Sequence, residues 1–188
     1  MSAIQIHELV PLTYVNGPGP RACVWVQGCS LACAGCFNPQ THQFDQGKTV
    51  QVRELVDSIL GLDAIQGVTI SGGEPLQQFD SVLEFISAIR KLSKLSIVVF
   101  TGFSRAEIEQ MPSACLLMES VDVIVAGRYE QNKHLARGLL GSANQELIFC
   151  SDRYSSLDFQ SLDDLEIVIN KDGSITITGV DIPGFPKS

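Results

Sequence analysis

The sequence is poor in basic residues, poor in aromatics and free of long apolar runs. Lys and Arg total 13 against 21 Asp and Glu, a formal net charge of −8 at pH 7. A broad electrostatic grip on nucleic acid needs clustered cations, so no nucleic-acid partner is expected. No apolar stretch reaches the roughly 18 residues of a membrane-spanning helix, so no membrane partner is expected either. The first residues, Met-Ser-Ala-Ile-Gln-Ile-His-Glu, lack the basic stretch and apolar core of a secretory leader, which points to the cytoplasm. No internal repeat or low-complexity segment stands out.

What is present suits a globular enzyme. The 188 residues are 45% apolar and 18% charged, enough to bury a core without staples. The six cysteines are Cys23, Cys29, Cys33, Cys36, Cys115 and Cys150. A chain of this size and composition uses such thiols reduced or as metal ligands rather than as disulfides. Cys23, Cys115 and Cys150 read as packing residues. Cys29-x3-Cys33-x2-Cys36 is different, because three thiols so close suit a thiophilic metal. Two readings compete. Zinc would take His42 as a fourth ligand. A [4Fe–4S] cluster would keep three cysteines and leave one iron open, or take Cys23 as its fourth in an electron carrier. The small residues Gly28, Ser30, Ala32, Ala34 and Gly35 let the loop wrap a bulky cluster and aim backbone N–H groups at its sulfurs.

Residues 22–27 read as a buried strand behind the turn signal Asn16-Gly17-Pro18-Gly19-Pro20, with the cysteine loop directly after it. Apolar positions Val52, Leu55, Val56, Ile59 and Leu60 predict a helix ending at Gly61, with Thr49 as its N-cap. Strands over 67–71, 96–101, 121–125 and 146–150 alternate with helices over 81–92 and from Ser104. Ser81 with Glu84, and Ser104 with Glu107, carry capping-box spacing. Such alternation implies parallel β/α units: an α/β fold, built as a partial (β/α) barrel or a curved, mostly parallel sheet. Ligands to these sheets sit at the C-terminal ends of the strands. The cysteine loop, Gly72-Gly73-Glu74-Pro75, Thr101-Gly102-Phe103 and Gly127-Arg128 therefore belong on one rim. Residues 166–178 read instead as a β-hairpin. A Lys171-Asp172-Gly173 loop sets Ile169 opposite Ile175 and Ile167 opposite Ile177. The chain thus divides into a main domain over 1–150 and a C-terminal extension over 151–188.

The cysteine triplet followed by Ser71-Gly72-Gly73-Glu74-Pro75 resembles the radical S-adenosylmethionine superfamily. Within it, the chain is most similar to the activating proteins of anaerobic ribonucleotide reductases. That closer resemblance runs from about Val15 to Phe149. It includes Val15-Asn16-Gly17-Pro18-Gly19, Val26-Gln27-Gly28-Cys29, Cys33-Ala34-Gly35-Cys36-Phe37-Asn38, Phe100-Thr101-Gly102-Phe103 and Gly141-Ser142-Ala143-Asn144-Gln145. The resemblance implies that Cys29, Cys33 and Cys36 hold three irons of a [4Fe–4S] cluster, and that the open iron binds S-adenosylmethionine. It implies that Gly72, Gly73 and Glu74 lie near the methionine amino group, that Thr101 and Gly102 line the cofactor, and that Phe37 and Asn38 help shape its pocket. The implied chemistry is one-electron cleavage of S-adenosylmethionine, with the electron from a flavodoxin- or ferredoxin-type donor. The resulting 5′-deoxyadenosyl radical takes a hydrogen from a glycine of a large glycyl-radical enzyme, the anaerobic reductase. No side chain is needed as a general base. Two departures from the family stand out: Ala126 where an acidic residue is usual, and the residues after Cys150.

Overall fold

The computed structural model describes residues 2–169, 173 and 175–180. In chain order the elements are β1 (Ala3–Thr13), β2 (Arg21–Val26), β3 (Lys48–Gln51), α1 (Val52–Leu60), β4 (Gly67–Gly72), α2 (Phe79–Leu92), β5 (Ser96–Thr101), α3 (Arg105–Glu109), α4 (Ala114–Ser120) and β6 (Val123–Ala126). There follow β7 (His134–Arg137), β8 (Leu140–Ser142), β9 (Glu146–Phe149), α5 (Ser156–Gln160), β10 (Leu165–Ile169) and β11 (Ile175–Gly179).

Seven strands form one mixed sheet in the order β3-β1-β2-β4-β5-β6-β9. The fold is α/β, as expected, but the sheet is parallel only across β2, β4, β5 and β6. Both flanks run antiparallel. The strand expected over 146–150 is present as β9, yet it returns from β6 without a crossover helix and pairs antiparallel. A parallel partner would need a long crossover connection. The small two-stranded sheet β7-β8 fills that connection instead.

The other flank comes from β1, which the sequence reading passed over. Pro11 interrupts its pattern, and the register slips by one residue between Val10 and Thr13. Proline lacks an N–H, and a bulge is where a paired strand tolerates it.

Strand alternation divides the core. One face of the sheet carries Ala22, Val24, Val68, Ile70, Ile97, Val99 and Ile124, packed against Leu55 and Ile59 of α1 and Phe85, Ile86 and Ile89 of α2. The opposite face carries Val98, Val123 and Val125, packed with Leu139 and with Phe159 of α5. Residues beyond Cys150 thus build part of the core: Phe159 is 1% exposed. β10 and β11 pair with Ile169 opposite Ile175 and Ile167 opposite Ile177. The expected connecting residues Lys171 and Asp172 lie outside the described residues, while Gly173 has the left-handed φ of 84°.

Two cap assignments are corrected. Thr49 lies in β3 and donates its hydroxyl to Gln5 Oε1, so α1 starts behind Gln51. Ser81 and Glu84 do not start α2. The 3-10 turn Pro75–Gln78 runs into the helix at Phe79, and Glu84 instead accepts a hydrogen bond from Ser2. The Ser104–Glu107 capping box of α3 is present with both of its bonds.

Candidate functional site

The parallel strands end on one rim, and the chain segments leaving them meet there. Gly73 N–H donates to Val26 C=O at 2.9 Å, and Glu74 N–H to Gly28 C=O at 2.9 Å. These two bonds fasten the turn after β4 to the start of the cysteine loop after β2. Only glycine permits the fit. Gly72 has φ 98°, and a Cβ there would lie 2.7 Å from the Val26 oxygen; one on Gly73 would collide with the Gly28 carbonyl.

A cleft of about 130 Å³ opens at this junction. Cys29, Cys33, Cys36 and His42 form one wall; Gly72, Gly73, Glu74, Thr101 and Gly102 form another. Tyr129 and Gln145 close a third. Eight of the ten sequence-derived site residues are therefore brought together. Asn38 and Phe37 lie behind the cleft wall. Asn38 donates its N–H to Cys36 Sγ at 3.4 Å and accepts from the Thr41 hydroxyl at 2.7 Å. Phe37 packs on the Tyr129 ring at 4.5 Å and against Gly141.

Glu74 is 1% exposed. Its Oε1 accepts from Leu76 N–H at 2.9 Å and from the Thr101 hydroxyl at 2.8 Å; its Oε2 accepts from Gly102 N–H at 2.7 Å. Burial outweighs these three donors and pushes its pKa up to about 7. A carboxylate offers about four acceptor positions, so roughly one remains beyond these three bonds. Burial also pushes the Cys29 thiol up, opposed by the Leu31 and Ala32 N–H groups that face its sulfur.

All six cysteines are free. Cys23 is buried in β2 and accepts from Trp25 Nε1–H at 3.0 Å, as a packing residue does. Cys115, expected to be packed, is exposed, because it falls on the outer side of α4. Among the described residues no three His, Cys, Asp or Glu side chains converge as the ligands of a single ion. A cluster spreads its thiolates around several irons and has no need of that convergence.

Sequence reasoning missed Tyr129. Gln145 sat in a recognised motif without an assigned role. Its side chain accepts from Gly141 and Ser142 N–H and donates to Gly127 C=O at 2.7 Å, which ties β8 to the end of β6. Arg128 is held by two bonds to Glu107, at 2.8 and 2.9 Å, and lies over the Phe103 ring. That pairing and the Ser104 donors hold the Glu107 carboxyl well down, at about 2.

The sequence model of the family described as a 4Fe-4S single cluster domain matches residues 15–148. The anaerobic ribonucleoside-triphosphate reductase-activating protein of Enterobacteria phage T4 is 33% identical over 145 residues, covering 74% of this chain and 90% of the phage protein. The proteins of the same name from Vibrio cholerae and Escherichia coli K12 are each 31% identical, over 149 and 147 residues, covering 74% of this chain and 94% of theirs. Among solved structures, QueE from Escherichia coli aligns with a TM-score of 0.45 at 20% identity, over 54% of this chain and 53% of that one. The chain belongs to the family of anaerobic ribonucleoside-triphosphate reductase-activating proteins.

Proposed function

We propose that the protein is a radical S-adenosylmethionine enzyme that installs a glycyl radical on an anaerobic ribonucleoside-triphosphate reductase. The observation that carries this reading is the shared cleft: the cysteine triplet and the Gly72-Gly73-Glu74 turn, about 40 residues apart in sequence, both line it. Three thiols with amide N–H groups aimed at one of them suit a [4Fe–4S] cluster with one open iron. Cys29, Cys33 and Cys36 would hold it. When bound, the cluster and S-adenosylmethionine supply the electron and the deoxyadenosyl radical that takes a hydrogen from a glycine Cα.

The chain's own residues bind and orient. Glu74 keeps an acceptor position toward the cleft, where a cationic amino group would both bond to it and favour its ionised form. Thr101 and Gly102 fix the Glu74 carboxylate by direct hydrogen bonds and so set where that position points. Tyr129, backed by Phe37, limits the entry of water from the β7-β8 side. We further propose that the sheet curves as a partial (β/α) barrel, with the residues after 150 a C-terminal extension of the same body, its end a β-hairpin. The electron comes from a flavodoxin- or ferredoxin-type donor, and the reaction takes place in the cytoplasm.

The test is anaerobic reconstitution with iron and sulfide, reduction with dithionite, and assay of 5′-deoxyadenosine from S-adenosylmethionine. Release that requires all three cysteines, and a glycyl radical signal on added reductase by electron paramagnetic resonance, are the expected results. A chain that takes up only zinc after reconstitution would overturn the reading.

A further inference from the structure

We infer that His42 donates a hydrogen bond from Nε2 to a sulfur of the cluster held by the cysteine loop, and so sets how easily that cluster is reduced. The inference rests on the cluster reading above. His42 lines the cleft with Cys29, Cys33 and Cys36. Its Nε2 is buried and has no hydrogen-bond partner among the described residues. Buried polar atoms are almost always paired, so the partner of this one belongs to what fills the cleft.

The backbone decides which part of the cleft it serves. His42 C=O accepts from Cys29 N–H at 3.0 Å, and the neighbouring Thr41 C=O accepts from Gly28 N–H at 2.8 Å. Thr41 is itself locked, its N–H and hydroxyl both bonded to Asn38 C=O. The imidazole is therefore rooted on the cysteine wall. The anionic group of the other wall, Glu74, takes its bonds from Leu76, Thr101 and Gly102 and none from His42. The cysteine-loop side chains that line the cleft beside His42 and can accept are those of Cys29, Cys33 and Cys36, through sulfur. Reduction adds electron density to those sulfurs, and a donor aimed at them stabilises the reduced cluster and raises its potential. His42 acts as a tuning residue, not a ligand: the three thiolates suffice to hold three irons.

The experiment uses the full-length protein with its cluster reconstituted, compared with His42→Leu, which keeps bulk and removes the donor, and His42→Gln, which keeps an N–H donor. Each is titrated anaerobically without S-adenosylmethionine, following the reduced-cluster resonance signal, with iron and sulfide counted per chain. The expected result is full cluster content in both variants. His42→Leu loses about tenfold in the equilibrium constant for reduction, about 59 mV for one electron, and His42→Gln recovers most of it. Equal potentials in all three proteins would overturn the inference. So would an unchanged potential in His42→Leu with weakened S-adenosylmethionine binding, which would assign the bond to that cofactor. Loss of the cluster from both variants would also overturn it, by making His42 a ligand. A wild-type chain that accepts no cluster would instead remove the functional reading on which the inference stands.

Discussion

The two ends of the parallel strands bury opposite charges in the same way and use them differently. At the N-terminal end the Arg21 guanidinium is 0% exposed and bonds to neutral hydroxyls: Thr69 Oγ1 at 3.1 Å and Ser96 Oγ at 2.7 Å. At the C-terminal end the Glu74 carboxylate is 1% exposed and is held by neutral donors. What borders each charge makes the difference. Arg21 is pressed on by Gly17 and Gly67, and Tyr154, from the residues after 150, donates its hydroxyl to Ser96 Oγ. Glu74 borders a cleft. A buried charge walled in on all sides contributes to the fold; one left beside a cleft can meet a ligand of opposite charge.

The comparison breaks most sharply with Cys33→Ala. Cluster content and deoxyadenosine release should fall to background, while the apoprotein's melting temperature stays near wild type because Cys33 is only partly buried. The check is iron analysis beside circular dichroism. Next is Glu74→Gln in the apoprotein. The native pKa of about 7 lies above the ordinary 4.5. The native state therefore binds the proton more tightly than the unfolded chain does. The stability this confers is fully present below pH 4.5 and is lost as pH rises through 7, by at most about 3 kcal/mol. Urea titrations at pH 4.5, 6 and 8 should show that decline in wild type and a flatter profile in the variant.

Arg21→Met should reverse the pattern of Cys33→Ala. It strips the donors from Thr69 and Ser96 and costs about 1–3 kcal/mol, read as a lower urea midpoint. Cluster content and the cluster's potential should stay unchanged. An Arg21 variant that kept its stability but lost the cluster would erase the distinction between the two ends. The smallest effect is expected from Tyr154→Phe, which removes one hydrogen bond at about 1 kcal/mol. Its measurement shows whether the residues after 150 add stability at the closed end.

How much was legible follows from how far apart the deciding residues lie. The cysteine loop and the Gly72-Gly73 turn are local. Their spacing and their need for glycine are written into a few consecutive positions, and the structure places them where strand–helix alternation put them. β1 was not legible because Pro11 breaks its alternation. The direction of β9 was not legible because alternation records which face a residue takes and not which way its strand runs. Thr49 misled because a hydroxyl at cap spacing can bond elsewhere, and it finds Gln5 instead; Ser81 misled because the turn Pro75–Gln78 already starts the helix at Phe79. Tyr129 carried no local signal at all.

The sequence by itself determined the chemistry on offer: three thiols on a loop of small residues, a glycine turn ending in a carboxylate, and a net charge of −8. Those properties belong to side chains and short segments, and no partner is needed to read them. Only the tertiary structure decided that Glu74 is bonded by Thr101 and Gly102, 27 and 28 residues away. It likewise decided that His42 Nε2 is buried without a hydrogen-bond partner among the described residues and that Tyr154 covers the opposite end. Such contacts depend on strand order and on packing across the sheet, and these arise from the whole chain burying its apolar faces at once.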